Sequence, residues 1–460
     1  MKLTSPGWSK ATRYSAAASR LRRSSALAAL SARAGVRWAS AHLGRSENRT
    51  ARKQRAMVRT AEDVTALMGN MKGVTMKLGQ IMSVMTGTVP PEFAGSLATL
   101  QSRATPMAPS LVRKVFGEEF GKSPDRLFRR FEWEPFAAAS IGQVHRAELD
   151  DGTPVAVKVQ YPGAAEAVTA DLANVGLLFG LAGFAARGLD PGPLVDDLKS
   201  GILGELDYGR ELASQARFAG LFRGHPFVKV PEVFPARSTR RVLVQEYIAG
   251  QRFATASTWD PIRKNELAEK VFRFTFGTMH RHGLFQADPH AGNYLLMDDG
   301  RVAFVDYGCV VEFEPQLRDQ LNRMITGVVL GDIEQWRAGM VEVGYVPPGL
   351  DLETAELWEH MRLYYSFILE DGVRFTPELA SSMVRQNLQL SGETGRVNRK
   401  LNIPKGVIFT QRINFGFAGL MASLEAAGTW HSIIREYTLG EPPATALGRA
   451  SAEHTPGMWV

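Results

Sequence analysis

The 460-residue chain is 45% hydrophobic and 22% charged without a run of eighteen apolar residues, which excludes disorder for most of it and argues against a membrane-spanning helix. Its single cysteine, Cys309, excludes an internal disulfide and a cysteine-based metal site. Residues 1–46 carry nine of the 54 Lys and Arg residues and no acid, so the remaining 45 basic residues face 47 acidic ones, and the folded body is not expected to present a nucleic-acid groove.

Residues 1–54 are predicted to form a basic arm, and residues 1–46 within it are rich in Arg, Ser and Ala. This composition is typical of a mitochondrial transit peptide, and also of a basic, disordered arm that is free or lies on a membrane surface. Both interpretations stay open. The expected location is therefore either the cytoplasm, with peripheral contact to a membrane, or the matrix side of mitochondria.

Residues 55–125 are predicted to form a helical N-terminal extension. From Met57 to Met85, apolar residues recur at three- and four-residue steps, which indicates a long amphipathic helix or a helix pair whose methionines face a core. The pair Pro90-Pro91 ends this pattern, because proline cannot donate to a continuing helix. A second helical stretch follows near Phe93–Leu100.

Residues 126–250 are predicted to form a strand-rich lobe with a helical insert. Between Phe131 and Val159 the apolar period changes towards two, interrupted by a turn at Asp150-Asp151-Gly152, which indicates a strand hairpin. Helical spacing returns in Leu194–Phe222. The segment Arg241–Tyr247 is a short apolar run and is predicted to be a strand.

A mostly helical second lobe is predicted over residues 251–439. Long helical patterns in Pro261–Gly283 and Pro315–Trp430 bracket the short segment Leu284–Val311. Residues 440–460 carry little apolar pattern and are predicted to be a loose tail.

The strongest chemical signal is GLFQADPHAGNYLLMDDGRVAFVDYG, residues 283–308. A phosphoryl-transfer site needs a carboxylate beside the nucleophile and oxygen ligands that hold Mg²⁺ against the phosphates. The spacing D-x-x-x-x-N, a strand hairpin, then D-aromatic-G supplies these groups in order. It predicts Asp288 as the catalytic carboxylate and Asn293 and Asp306 as metal ligands, whereas His290 is either a structural hydrogen-bond partner or a participant.

Such a site also needs a cation for the nucleotide phosphates and an acid that positions it. Lys158 lies in the strand pattern VAVKV and is predicted to be that cation. The run GELDYGREL contains three acids that could be its partner, and we choose Glu205. Asp207 and Glu211 are interpreted as charges on a helix surface.

The strand RVLVQEYIAG is predicted to connect the two lobes. The backbone groups of Glu246, Tyr247 and Ile248 are then expected to meet the edge of an adenine ring.

These motifs resemble those of the UbiB family, the aarF-domain atypical kinases, over about residues 55–435. The matching segments are KLGQ (77–80), AAASIGQVH (137–145), ELDY (205–208), ADPHAGN (287–293) and DYG (306–308). The resemblance implies an α+β, protein-kinase-like, two-lobed fold in which the helical N-terminal extension lies over the active site. It also implies that Lys77 and Gln80 face the nucleotide pocket.

The same resemblance implies a nucleotide loop made of Ala137, Ala138, Ala139 and Ser140. Alanines in place of glycines restrict the backbone conformations of such a loop. The resemblance therefore implies an altered nucleotide preference and suppressed protein kinase activity. The implied cofactors are ATP or ADP and Mg²⁺. The expected activity is that of an ATPase, or of a small-molecule or lipid kinase, that supports ubiquinone or other isoprenoid-quinone biosynthesis.

The partner would be an isoprenoid-quinone precursor or a lipid. A non-catalytic, nucleotide-gated lipid-binding scaffold of the same fold stays open as the alternative. Two positions depart from the family pattern: Gln286 stands where many members have His, and Tyr307 replaces the Phe of Asp-Phe-Gly. Neither change removes a predicted metal ligand.

Overall fold

The computed structural model describes residues 106–139, 141–166, 168–169, 203–389, 392–402 and 416–454, with the isolated positions 404, 407 and 410. The predicted basic arm and the methionine-rich helical pattern lie outside these residues. In chain order the described helices and strands are α1 (Pro109–Phe120), β1 (Arg130–Phe131), β2 (Ala137–Ala139), β3 (Gly142–Glu148), β4 (Pro154–Gln160), α2 (Tyr208–Leu221), β5 (Val228–Lys229), β6 (Val242–Glu246), β7 (Gln251–Arg252), α3 (Pro261–His282), β8 (Leu284–Gln286), β9 (Tyr294–Leu296), β10 (Val302–Phe304), β11 (Val310–Glu312), α4 (Pro315–Leu330), α5 (Ile333–Val343), α6 (Thr354–Leu369), α7 (Pro377–Leu388), α8 (Gly392–Asn398), α9 (Ala418–Ser423), α10 (Trp430–Thr438) and α11 (Ala446–His454).

An antiparallel five-stranded sheet forms the N-terminal lobe, in the order β1-β3-β4-β6 with β2 paired to β3. The predicted hairpin is confirmed, since β3 and β4 pair along their whole length. Side chains alternate along β4, so Val155, Val157 and Val159 pack on the face that α1 covers, and Lys158 lies on the opposite face. Helix α1, which the sequence assigned to the extension, therefore completes the core of this lobe.

Helix α2 carries buried side chains that face this lobe and the second one. Its N-cap is Asp207, whose carboxylate accepts from the amide of Gly209, as an N-terminal cap should. The buried residues Glu211, Gln215 and Phe218 follow at helical three- and four-residue spacing and define one face. On that face the two polar side chains lie closer to the start of the helix than the aromatic one.

The C-terminal lobe is built around α3, with two small sheets, β5-β10-β9-β7 and β11-β8, on one side and helices on the other. Asp260 begins α3 by accepting two backbone hydrogen bonds, and Gly283, with φ of 63°, ends it in the left-handed conformation that glycine tolerates. Phe274 of α3 stacks on Phe304 of β10 with ring centroids 3.6 Å apart. Helix α3 thus supports the β9–β10 hairpin from below.

Residues 440–460 are predicted to be a loose tail, and helix α11 corrects this prediction for residues 446–454. Its Gly448 lies against the Arg273 guanidinium, where a Cβ atom would come within 2.5 Å of Nη2. Arg273 in turn donates to both carboxylate oxygens of Glu436 at 2.8 and 2.9 Å. Small residues give this helix little apolar pattern, yet they allow the close packing that orders it. No helix in the described part of the chain is long and apolar enough to cross a bilayer.

Candidate active site

The loop that follows β8 is held by its own polar groups. The carbonyl oxygen of Asp288 accepts from the amide of His290 at 2.8 Å and from the side-chain nitrogen of Asn293 at 2.9 Å. His290 Nδ1 accepts from the amide of Gly292 at 3.0 Å. The contacts favour the structural interpretation of His290, which caps the short turn Ala291–Asn293. These bonds use the backbone carbonyl of Asp288, whose side chain is half-buried.

Three further hydrogen bonds join this loop to the Asp-Tyr-Gly segment. The Gln286 side-chain amide donates to the carbonyl oxygen of Asp306. The amide of Ala287 donates to the carbonyl of the residue after the Asp-Tyr-Gly motif at 2.8 Å, and Val305 donates to the carbonyl of Asn293 at 3.1 Å. Gln286, which departs from the family pattern, therefore holds Asp306 in position relative to the loop.

The ammonium group of Lys158 lies between two carboxylates. It donates to Glu211 Oε1 and Oε2 at 2.8 and 2.9 Å and lies 3.3 Å from Asp306 Oδ2. The choice of Glu205 as its partner is therefore wrong, and the partner is Glu211. Glu205 lies in the turn before α2 and is itself buried, while Glu211 lies one turn inside the helix, on the face that points at β4.

The sequence contained a signal for Glu211. Glu211, Gln215 and Phe218 share one helical face, so a helix that begins at Tyr208 buries Glu211 together with Phe218. The error came from treating Glu205 as helical. The N-cap at Asp207 shows that the helix begins only at Tyr208, after Glu205.

The charges of this trio do not balance. Burial by itself lowers the pKa of the Lys158 ammonium, but the carboxylates of Asp306 and Glu211 outweigh burial and hold it well above its ordinary value. Burial raises the pKa of Glu211 to about 6, because the attraction of Lys158 only partly offsets the desolvation and the repulsion from Asp306. Two carboxylates thus share one ammonium, and the site carries an excess negative charge.

Asn293 and Asp306 are suited to hold a divalent cation. Asn293 uses its side-chain nitrogen on Asp288, so its amide oxygen is directed to a different partner. Asp306 Oδ1 accepts from the amide of Gly308 at 2.9 Å, and a carboxylate has acceptor capacity beyond this bond and the contact with Lys158. Within the described residues there is no cluster of three or more His, Cys, Asp or Glu side chains that could hold a metal. A pair of oxygen donors fits Mg²⁺, which takes its remaining ligands from phosphates and water.

The alanine-rich loop forms a tight hairpin beside Lys158. Ala137, Ala138 and Ala139 form β2 and pair with β3, down to Ala139 opposite Gly142. Ser140 lies outside the described residues, as do Lys77 and Gln80. A Cβ atom at Gly142 would overlap the carbonyl of β4 and come within 2.9 Å of the Tyr208 hydroxyl, so glycine is needed there for the close approach.

Of the three backbone amides predicted to meet adenine, two are already hydrogen-bonded. The amide of Glu246 donates to Glu232 at 2.8 Å and that of Tyr247 to Pro154 at 3.1 Å. The amide of Ile248 makes no hydrogen bond to another described residue. Of the three predicted positions, Ile248 is therefore the one whose N–H group can meet an adenine nitrogen.

The side chain of Tyr247 packs against the N-terminal lobe. The Arg146 guanidinium lies 4.5 Å above its ring, and Phe136 meets it edge-on at 5.7 Å. Phe136 is 52% exposed and is one of six exposed large apolar side chains among the described residues. The aromatic pair therefore lines the connection next to the alanine-rich hairpin.

The sequence matches the family model of the ABC1 atypical kinase-like domain over residues 99–339. Among solved structures it is similar to Rv3197 of Mycobacterium tuberculosis, described in complex with erythromycin, with a TM-score of 0.61 and 29% identity over 85% of this chain and 99% of that one. Both findings agree with the α+β, protein-kinase-like, two-lobed fold.

Curated relatives are similar over most of the chain. An uncharacterized protein of Synechocystis is 30% identical over 80% of this chain and 90% of its own length. An uncharacterized chloroplastic aarF domain-containing protein kinase of Arabidopsis thaliana is 29% identical over 84% of this chain, and the mitochondrial atypical kinase COQ8 of Saccharomyces cerevisiae is 29% identical over 62%. The chain spans about half the length of these last two relatives, 55% and 57%.

Proposed function

Because the chain belongs to the ABC1 atypical kinase-like family, we propose that it binds an adenine nucleotide and Mg²⁺ between its lobes and works as an ATPase or as a kinase of a small molecule or lipid. The observation that supports this most is the contact between the two lobes at Lys158. Its ammonium lies 2.8 Å from Glu211 and 3.3 Å from Asp306, the arrangement that phosphoryl transfer requires of the phosphate-binding lysine and the metal ligand.

Each side chain has a separate role in this proposal. Lys158 binds the nucleotide phosphates, and Glu211 positions it. Asp288 orients the attacking hydroxyl or water and accepts its proton, and Asn293 and Asp306 are the oxygen ligands. Mg²⁺, when bound, supplies positive charge that neutralises the phosphates and the excess negative charge of the Lys158, Glu211 and Asp306 group.

The proposed pathway is ubiquinone or other isoprenoid-quinone biosynthesis, with a quinone precursor or a lipid as the second substrate. The support is membership of the family that includes an atypical kinase named COQ8. Location in an organelle, with peripheral contact to a membrane, is part of the same proposal, since two of the relatives are a chloroplastic and a mitochondrial protein. The basic segment 1–54 is suited to either targeting or membrane contact.

Phosphate release by the purified chain with Mg²⁺ and ATP tests the catalytic proposal. We expect Asp306→Asn to lower the rate about a hundredfold, because it removes a metal ligand, and Lys158→Arg to lower it strongly as well. Asp299→Asn is the matched control, because Asp299 lies on the exposed turn of the same hairpin and pairs with Arg301. Anionic liposomes and a quinone-like phenol are added in parallel, and stimulation by them supports the proposed substrate class.

Two outcomes separate the alternatives. Release that persists in Asp306→Asn contradicts a catalytic role for this site. Nucleotide binding without release supports the non-catalytic, nucleotide-gated scaffold, which the narrow backbone freedom of the Ala137–Ala139 hairpin favours.

A further inference from the structure

A second cavity lies on the C-terminal lobe, apart from the site around Lys158. It has a volume of about 340 Å³ and is enclosed by the beginning of α3, strand β7 and the β9–β10 hairpin. This size is within the range of small-molecule sites. The hairpin that forms its wall connects Asn293 to Asp306, but neither of these residues lines the cavity.

The floor of the cavity is apolar. Leu267, Leu296 and Val302 line it and are at most 5% exposed. The half-buried indole ring of Trp259 forms part of the wall. One face of a flat apolar ring can therefore contact this floor, next to one aromatic side chain.

The cations of the cavity are held in place before any ligand arrives. Lys270 is 8% exposed and donates to the carbonyl of Gly300 at 2.8 Å and to Glu266 at 2.6 Å. An ammonium has three donors, so one N–H of Lys270 is still available. The guanidinium of Arg263 lies 4.1 Å above the Trp259 ring, which fixes its direction at the mouth.

Most charges at the cavity are already paired. Lys270 is paired with Glu266 and Arg301 with Asp299, while Asp298 is exposed on the hairpin turn. Arg263 contacts the Trp259 ring, and no ion pair joins it to an acid of the described residues. A carboxylate would accept from both Arg263 and the remaining N–H of Lys270, which a neutral ring could not do.

We propose that this cavity binds a small aromatic monoanion, a planar carboxylate whose ring lies on the apolar floor and whose oxygens accept from Lys270 and Arg263. Charge-assisted hydrogen bonds to a carboxylate are the strong ones, and they are strongest where water is excluded. A single negative charge matches Arg263, which no ion pair joins to an acid of the described residues. The site is independent of the nucleotide cleft, so this proposal stands or falls separately from the proposed activity.

The test uses the full-length chain and 4-(trifluoromethyl)benzoate, observed by fluorine NMR line broadening. We expect the probe to bind and the neutral 4-(trifluoromethyl)benzyl alcohol to bind at least about fivefold more weakly. Arg263→Gln and Trp259→Leu should each weaken benzoate binding at least about fivefold. Arg252→Gln is the control, because Arg252 is exposed on β7 but does not line the cavity.

Folding and site identity are checked in the same experiment. Arg263 is exposed, so its substitution is not expected to unfold the chain, and circular dichroism verifies this for both variants. Benzoate binding should persist when Mg²⁺ and ADP are added. The proposal is overturned if the benzoate shows no broadening, if the alcohol binds as well, if all three variants bind alike, or if the nucleotide displaces the benzoate.

Discussion

Replacing Lys158 by methionine tests the charge arrangement of the site through stability. The substitution keeps the length and apolar stem of the side chain but removes the ammonium that contacts Glu211 and Asp306. Both Lys158 and Glu211 are buried, at 9% and 4% exposure. Removing one partner of a buried ion pair leaves an uncompensated charge and costs about 3–5 kcal/mol. We expect Lys158→Met to lower the free energy of unfolding by about this amount at pH 7.5.

A second substitution identifies the partner. In Lys158→Met with Glu211→Gln, the carboxylate that lost its cation is gone, and we expect at least about 1–2 kcal/mol of the lost stability to return, as for coupled neighbouring sites. Lys158→Met with Glu205→Gln is the matched control, because Glu205 is also a buried acid near the start of α2, whereas Glu211 is the one that accepts both hydrogen bonds from Lys158. Urea denaturation of the single and double variants measures all of these values.

The pH dependence has a defined sign. Burial raises the pKa of Glu211 from its ordinary 4.5 to about 6 in the folded chain, so folding favours its protonated form. The stability that protonated Glu211 contributes is therefore fully present below pH 4.5 and is lost as the pH rises through about 6. Without Lys158 this loss becomes larger, so the destabilisation by Lys158→Met should be smaller at pH 5 than at pH 7.5.

Three results would refute this reasoning. They are a loss below about 1 kcal/mol for Lys158→Met, equal recovery with Glu205→Gln and Glu211→Gln, or a destabilisation that grows as the pH falls. The first would mean that the buried carboxylates tolerate the missing cation. The second would return Glu205 to the position of partner.

Three further substitutions test neighbouring contacts. Gly142→Ala should lower stability by about 1–3 kcal/mol and weaken nucleotide affinity, because a Cβ there overlaps β4, and a thermal melt together with nucleotide titration measures both. Gln286→Leu leaves the carbonyl of Asp306 without its side-chain donor and should cost about 1–3 kcal/mol in urea denaturation, with weaker Mg²⁺ dependence of nucleotide binding. Arg217→Glu should weaken nucleotide binding by separating α2 from β11, and adding Glu312→Arg to the same chain should restore the affinity. Because the pair is exposed, it contributes at most about 1 kcal/mol to stability. Unchanged nucleotide affinity in Arg217→Glu would contradict this prediction.

Much of the fold follows from local pattern. Alternation in PVAVKVQ predicts β4 and places Lys158 on the face opposite the valines, and the cap at Asp260 with Gly283 at the other end bounds α3. The spacing of Asp288, Asn293 and Asp306 predicts the loop and the hairpin, because these contacts lie close in sequence. Local hydrogen bonds and the periodicity of apolar side chains can be predicted directly from a sequence.

The rest depends on contacts between distant residues. Lys158 and Glu211 are 53 residues apart, and three nearby acids offered similar chemistry, so only the exact start of α2 distinguishes them. The hydrogen bond from the Gln286 side chain to the carbonyl of Asp306 joins residues 20 positions apart. Helix α11 is ordered by its packing on Arg273, which no local pattern within residues 440–460 records.

Calorimetric titration of ADP into the full-length chain, with and without Mg²⁺, tests the central claim most directly. The arrangement of Lys158, Asn293 and Asp306 predicts binding that requires Mg²⁺ and is weakened at least about tenfold by Asp306→Asn, with Asp299→Asn unchanged. ADP binding that is indifferent to Mg²⁺ and to Asp306→Asn, or no binding at all, would contradict it.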